Sequence, residues 1–394
     1  MKKVLIVNKF YYPRGGDCVC AINLENLLKA KGHQVAVFAM QYDQNIASEY
    51  SSYFASEVSF AGGIGAKFNA AKRIFGLGDI KSQFSKILHD FKPDIVHLNN
   101  IHSYLSPVVA KMAKEFGAKV VWTLHDYKLL CPSYACLRNG KPCELCFNDK
   151  SSILKHKCMK GSTVASILAH FEAKYWSKAK LQKYTDTFIC PSHFMKSRME
   201  MGGFDRLNVV CNFVDPVKLD KFNNLNTCDR KDYYVYVGRL STEKGINTLI
   251  EVAKTLNYPL KVVGGGPLED LLKKSCEGIG HIQFLGHQNA ENVANLLSQA
   301  RFSVVPSECY ENNPLSVIES RCAGTPIVGA NIAGIPELID ENCGVTFSSG
   351  DKGSLKQAIE FAWNKQWEYK NIKEFAIKTF SPDEHYSKLN VIYG

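Results

Sequence analysis

Phe302 to Ala330 reads FSVVPSECYENNPLSVIESRCAGTPIVGA, and its order of apolar run, polar turn, helical stretch, glycine and second apolar run decides the fold. FSVVPSE is a short buried strand running into a polar turn, and the chain after Gly324 reads as strand, Gly-rich loop and short helix through GTPIVGANIAGIPELI. Between the strands, Asn312 or Asn313 caps a helix, Pro314 suits the first helical position because its missing N–H would have no partner there, and Gly324 stops it. Glu311 therefore stands at the mouth of a helix and Glu319 within it. Eight residues at about 100° each place Glu319 roughly 80° around the axis and about 12 Å along it, too far apart for the two acids to act on one proton. Two separate contacts fit better: Glu311 against a sugar ring, and Glu319 accepting both hydroxyls of a ribose diol. An isolated E-x7-E would be two surface acids on a solvated helix, so the flanks carry the reading.

Outward from this stretch, apolar runs alternate with helical spacing along the chain. VLIV (4–7), QVAVF (34–38), DIVHL (94–98), KVVWTL (119–124) and DTFICPS (186–192) form one series, and residues 17–31 between the first two have helical spacing with Gly32 as stop. The series restarts near residue 215 with YYVYVG (233–238), LKVVGGG (260–266), HIQFLG (281–286), FSVVPS and PIVGA. Short strands separated by helices predict an α/β chain of two doubly wound parallel sheets, with the boundary near Asn212 to Pro216. Residues 43–90 read as irregular, with five glycines between 61 and 78, as a mobile acceptor-facing segment or a plain surface excursion.

Ligands of doubly wound sheets bind at the carboxyl ends of strands, which directs attention to four loops. After YYVYV comes Gly238-Arg239-Leu240-Ser241-Thr242-Glu243-Lys244-Gly245, where Arg239 can grip phosphate with a fork and Lys244 acts as a point charge. Fixed cations there stabilise a leaving diphosphate more than an intact one. Gly264-Gly265-Gly266 is a second sharp turn, read as backbone close to the same ligand. Gly15 and Gly16 follow the first strand, outside any G-x-G-x-x-G pattern, where backbone N–H groups at a helix start can approach an anion, with Asp17 as the helix cap. His125 closes KVVWTL, and Asn99, Asn100 and His102 follow DIVHL as acceptor-side candidates.

With these motifs in this order, nearly the whole chain resembles the retaining nucleotide-sugar glycosyltransferases of family 4, whose signature is the E-x7-E element. The resemblance implies the GT-B fold, two Rossmann-like domains facing across a cleft: residues 1–213 for the acceptor, 214–377 for the nucleotide sugar, and a C-terminal helix (378–394) crossing back to the first domain. It implies that Arg239 and Lys244 bind the donor diphosphate, that His125 contacts the donor sugar, and that Glu311, Asn312, Asn313, Leu315, Glu319, Gly15, Gly16, Gly264 and Gly265 line the donor. Catalysis is assigned to His125, Glu311, Arg239 and Lys244. The expected reaction moves a hexosyl group, with retention, from a UDP-sugar, or else a GDP-sugar, to a lipid-linked or saccharide acceptor of envelope or capsular polysaccharide synthesis, with no cofactor required. A GT-B epimerase or phosphorylase, and a partner-dependent non-catalytic subunit, are the alternatives.

Composition fits. The chain has 394 residues, 45% hydrophobic and 22% charged, enough for two full cores. MKKVLIVNKF has too short an apolar run for a signal peptide, and no stretch reaches the roughly 20 apolar residues of a membrane span. A cytoplasmic protein is expected, peripheral at the inner face of the membrane. The net charge of +10, with lysine clusters at 150–160 and 174–183, would attract anionic headgroups or a pyrophosphate-linked acceptor, while no nucleic-acid module is recognisable. Of fourteen cysteines, nine are scattered, and Cys190, Cys211 and Cys322 among them read as buried thiols. Five cluster in an insert at 131–158: Cys131, Cys136, Cys143, Cys146 and Cys158. The Asn139-Gly140 turn would fold Cys136 back toward Cys143, and a structural zinc on Cys136, Cys143, Cys146 and Cys158 is the alternative to a purely local structural role.

Overall fold

The computed structural model describes residues 1–60, 63–227 and 229–394. Ala61 and Gly62 of the glycine-rich run, and Cys228 among the scattered cysteines, lie outside the described residues.

The chain divides into two compact units. The first holds Met1–Arg138, Cys143–Val210 and Tyr386–Gly394; the second holds Asn139–Pro142 and Cys211–His385. In the first, strands β1 (Lys3–Val7), β2 (Gln34–Phe38), β3 (Ile95–Leu98) and β4 (Lys119–Thr123) come before a small hairpin of β5 (Leu137–Arg138) and β6 (Lys141–Pro142). Strands β7 (Thr187–Cys190) and β8 (Leu207–Val209) complete its six-stranded sheet, in the order β2-β1-β3-β4-β7-β8. All pairings are parallel, with Val4 to Val7 set against Ile95 to Leu98. Near-continuous burial of Val4–Val7, Val35–Phe38 and Ile95–Leu98 is what a parallel sheet covered on both faces demands.

The second unit is likewise a six-stranded parallel sheet, built from β9 (Tyr234–Val237), β10 (Leu260–Val263), β11 (Ile282–Gly286), β12 (Ser303–Val305), β13 (Ile327–Ala330) and β14 (Gly344–Phe347). The order β11-β10-β9-β12-β13-β14 is the doubly wound order in which the chain reverses direction between β9 and β12. Its core runs continuously from Val214 and Phe222 through Tyr234, Phe302, Ile318 and Val328 to Phe380.

The strands read from the sequence are all present, and eight of the ten are one to three residues shorter than read. Three features differ. Residues 43–90, read as irregular, contain a 3-10 turn (Ser51–Tyr53) and two helices, Ile64–Ile74 and Ile80–Phe91. The second buries Ile80, Phe84, Ile87 and Leu88 at helical spacing, which the nearby glycines obscured. The C-terminal helix, read as 378–394, begins only at Pro382 and runs to Tyr393, after a separate helix Tyr369–Thr379 that was not read, because proline starts a helix better than it continues one. The last segment packs in the first unit's core, where Leu389 and Tyr393 join Val4, Ile6 and Ile95, and His97 Nδ1 lies 2.7 Å from the Tyr393 hydroxyl. Strands β8 and β14 were not anticipated at all.

Candidate active site

Two of the second-unit residues read as donor contacts, Lys244 and Glu311, meet at the reversal of its sheet. Because β9 and β12 are neighbours, the loops leaving their carboxyl ends lie side by side although Lys244 and Glu311 are 67 residues apart in sequence. Lys244 Nζ donates to Glu311 Oε1 at 2.5 Å, and Ser307 Oγ donates to the same oxygen at 3.0 Å. Burial works against the Lys244 charge, but the Glu311 carboxylate and its hydrogen bond outweigh it and hold Lys244 above its ordinary value. Lys244 is thus a fixed cation throughout the physiological range. Arg239 is exposed on the same loop, whose backbone is fixed by the Tyr236 hydroxyl donating to the Arg239 carbonyl at 2.8 Å.

Backbone contacts lock this loop in place. Glu308 N–H donates to the Glu243 carbonyl, and Thr248 Oγ1 donates to Glu308 Oε1. Gly245 has φ +68, and a Cβ there would stand 1.8 Å from the Pro306 carbonyl oxygen. Gly264 has φ +122, and its Cβ would meet the Gly238 oxygen at 2.0 Å. Both positions admit only glycine, and Leu240 N–H donates to the Gly265 carbonyl, so the Gly264–Gly266 turn is stacked directly on the Arg239 loop.

Glu319 sits in the helix Leu315–Cys322, with Lys218 Nζ donating to its Oε1 at 2.5 Å. Pro314 is the residue before that helix and not its first residue, and Leu315 opens it. Neither Asn312 nor Asn313 caps it. The buried Asn313 instead accepts from Asn212 N–H and its carbonyl accepts from Asn212 Nδ2, which fastens the loop to the chain's entry into the unit. Gly324, at φ +74, stops the helix as read. Ser307 and Lys218 were missed by sequence reading. Ser307 lay within the quoted stretch, whereas nothing near Lys218 connects it to a carboxylate 101 residues on.

In the first unit, the helix Gly16–Ala30 begins after an extended Gly15. Asp17 lies in its first turn, with no side-chain capping bond, so the expected cap is absent. Its carboxylate turns instead to neighbouring loops: Asn100 Nδ2 donates to it at 2.8 Å and Lys9 Nζ stands 4.0 Å away. Burial tends to raise Asp17, but Lys9, His125 and the Asn100 bond outweigh it and hold the carboxyl below its ordinary value. His125 Nε2 lies 3.0 Å from Asn99 Oδ1, and burial lowers its pKa against the opposing pull of Asp17 and Asp126. The imidazole is therefore neutral near pH 7. His102 stacks on Trp122 and is pushed down to about 3, chiefly by burial. Burial raises Asp126, against Lys9. His125, Asn99, Asn100 and His102 thus form one polar cluster at the ends of β3 and β4, to which the structure adds Lys9 and Asp126.

Beside this cluster opens a cleft of about 2450 Å³, lined only by first-unit residues, among them Lys9, Arg14, Gly15, Asp17, Asn100 and Asp126. Gly15 lines it; Gly16 does not.

The cysteine insert forms the expected hairpin. Asn139 and Gly140 take φ +51 and +75, the two-residue turn with both φ positive, and Cys143 N–H donates to the Cys136 carbonyl at 2.8 Å. Cys131, Cys136 and Cys146 are buried, with Cys131 in thiol contact with both others, while Cys143 and Cys158 are half-buried. Among the described residues, no group of three or more His, Cys, Asp or Glu is disposed to hold a metal ion. Of the scattered thiols, Cys190 and Cys322 are buried as read, and Cys211 is half-buried. Among the described residues, no helix is long and apolar enough to cross a membrane.

Comparison with known proteins bears on the fold and the family. A 42.6 kDa protein of the cps region of Klebsiella pneumoniae, itself uncharacterized, is 25% identical over 352 residues, covering 85% of this chain and 87% of that protein. Among solved structures, the sucrose-phosphate synthase of Thermosynechococcus elongatus superposes with a TM-score of 0.70 at 19% identity, covering 100% of this chain and 98% of that one. HepE of Anabaena, solved in complex with UDP and glucose, gives 0.65 at 16% identity, covering 100% and 99%. These likenesses establish the GT-B fold. Residues 14–218 match the family Glycosyltransferase Family 4 and residues 217–379 match Glycosyl transferases group 1, so the chain belongs to the glycosyltransferases of these families.

Proposed function

We propose that the protein transfers a hexosyl group, with retention, from a UDP-sugar to a lipid-linked or saccharide acceptor in envelope or capsular polysaccharide synthesis, working at the cytoplasmic face of the membrane. The observation that carries the donor half is the Lys244–Glu311–Ser307 cluster with Glu319 further along the same segment. Lys244 and Arg239 neutralise the diphosphate as the bond from sugar C1 to phosphate oxygen breaks, where charge grows and fixed cations act most strongly. The acceptor oxygen attacks C1 from the face the diphosphate leaves, and its proton passes to the departing phosphate oxygen. Glu311 orients the sugar, and Glu319 accepts the ribose hydroxyls once Lys218 yields one carboxylate oxygen to them. Neutral His125 is suited to a hydrogen bond with the sugar and not to donating a proton.

UDP is favoured over GDP because HepE, which shares the fold, was solved with UDP; the Klebsiella relative's place in a cps region supports the pathway. Calorimetry with UDP, GDP, ADP, dTDP and CMP, on the wild type and on Glu319→Ala, tests the reading. Saturable binding of one diphosphate, weakened by the substitution, is expected. Folded protein that binds none of the five would overturn it and favour a partner-dependent subunit.

A further inference from the structure

The transfer reaction makes no use of the clustered cysteines, yet three of them meet at one sulfur. Cys131 lies on the loop that continues from His125 and Asp126, Cys136 stands just before β5, and Cys146 is in the short helix Leu145–Asn148. All three are buried. Four hydrogen-bonding groups converge on the Cys131 sulfur: the Cys136 and Cys146 thiols, the Ser133 hydroxyl at 3.1 Å and the Ser133 N–H. The half-buried Lys150 ammonium is held beside them, donating to the Leu129 carbonyl at 3.2 Å and to the Leu130 carbonyl, and its charge acts on all three sulfurs.

An isolated buried thiol is inert, because burial opposes its reactive thiolate form. Cys190 and Cys322 are of that kind, each pushed up to about 12 chiefly by burial. Cys131 differs in two ways. Hydrogen bonds and a cation favour charge on its sulfur, and two further thiols already touch it, ready to resolve an oxidised product. The cluster also stands where a new bond would be felt. Cys131 N–H donates to the Tyr127 carbonyl at 2.7 Å, its own carbonyl accepts from Tyr134 N–H at 2.7 Å, and Lys128 and Tyr134 line the first-unit cleft. Drawing two sulfurs from contact to the roughly 2 Å of a disulfide moves that loop.

We propose that Cys131 is a peroxide-reactive thiol that closes a reversible disulfide with Cys136 or Cys146 and so shifts the Tyr134 wall of the cleft. The Cys131 thiolate attacks one oxygen of hydrogen peroxide, the O–O bond breaks, and the departing hydroxide takes up a proton as water. The neighbouring thiol then attacks the Cys131 sulfenic acid at sulfur, the S–O bond breaks, and a second water leaves with that thiol's proton. The two sulfurs lose two electrons and the peroxide gains them; a dithiol returns them by exchange. A transient bond of this kind is the usual form of disulfide in a reducing compartment. The inference does not depend on the transferase reading.

Treating the full chain with hydrogen peroxide, alkylating the remaining thiols and mapping the peptides by mass spectrometry tests it. The expected product is one disulfide joining Cys131 to Cys136 or to Cys146, formed at least about tenfold faster than any oxidation of Cys190 or Cys322 and removed by dithiothreitol. Hydrogen exchange should change in residues 127–136 on oxidation; no change there would overturn the shift of the cleft wall. Cys136→Ser/Cys146→Ser removes both resolving thiols, so Cys131 should then be trapped as a sulfenic acid that dimedone labels. This variant keeps Cys131 itself, and the untreated wild type supplies the disulfide result even if the variant folds poorly. Cys131 staying reduced while the half-buried Cys143 and Cys158 oxidise, or all the cysteines oxidising at one rate, would overturn the proposal. Purified protein carrying one equivalent of zinc, with the clustered thiols shielded from peroxide until a chelator removes it, would also overturn it and make the cluster a structural metal site.

Discussion

The two units are both six-stranded parallel sheets, yet the loops at their strand ends are arranged in opposite ways, which under the proposed function suits a donor in one and an acceptor in the other. In the second, the loops at the strand ends are pressed together: Gly245 against Pro306, Gly264 against Gly238, Lys244 onto Glu311 and Lys218 onto Glu319. In the first, the loops after β1, β3 and β4 meet in a polar cluster, but beside it lies a wide cleft with exposed apolar walls. A nucleoside diphosphate is small and constant, and a set of prearranged charges and backbone contacts can hold it. An acceptor is larger and varies between enzymes, and an open apolar surface bounded by a few polar groups suits that task better. The contrast predicts that substitutions in the second unit abolish activity or folding, whereas substitutions in the cleft change which acceptor is used.

The largest effect belongs to Glu311. Glu311→Gln keeps the shape and removes the charge facing Lys244, and turnover should fall by about 10²- to 10³-fold, with the thermal midpoint nearly unchanged. A fall of less than about threefold in kcat would separate Glu311 from the chemistry and break the comparison at its strongest point.

Next comes the packing of the loops themselves. Gly245→Ala places a Cβ where the Pro306 carbonyl stands, at a φ that side chains rarely adopt, and should cost about 2 to 4 kcal/mol of stability. A chemical-denaturation midpoint within error of the wild type would show that the loop is looser than its contacts suggest. Glu319→Ala has a narrower effect. It should weaken UDP by about ten- to a hundredfold, appearing in KM more than in kcat, because the ribose is held alike in ground and transition states.

These predictions depend on residues that were not equally legible in the sequence. The Gly238–Gly245 and Glu311–Glu319 elements could be read as strand, loop and helix because they are local, and Gly324 and the Asn139-Gly140 turn could be read for the same reason. Their meeting could not be read from spacing, because it follows from the sheet order that puts β9 beside β12. Lys218 was invisible for that reason: only the fold carries it to Glu319. Asp17 was misread because a helix-start acid looks the same whether it caps its own helix or, as here, reaches sideways to Asn100 and Lys9. The helices at 64–74 and 80–91 were hidden by the glycines before and between them, of which only Gly65 lies inside a helix. The exposed Val164, Ile167 and Phe171 of the helix Thr163–Tyr175 escaped because their periodicity looks like that of a core-facing helix, and only burial shows that they face outward.

The smallest effect is the pH response of the first unit. His102 lies at about 3 and His125 below its ordinary value, both chiefly through burial, while in the unfolded chain each titrates near 6.5. Below that pH the unfolded state binds more protons than the folded one, so stability falls as the pH drops from about 7 toward 3. His102 alone should remove about 2 kcal/mol between pH 7 and pH 5. Urea denaturation at those two pH values, on the wild type and on His102→Phe, isolates this term. Phenylalanine keeps a ring against Trp122 but binds no proton, so the variant's loss on acidification should be smaller by that amount. An equal loss in both proteins would mean that His102 does not titrate between the folded and unfolded states, and the acid sensitivity would then belong to other groups.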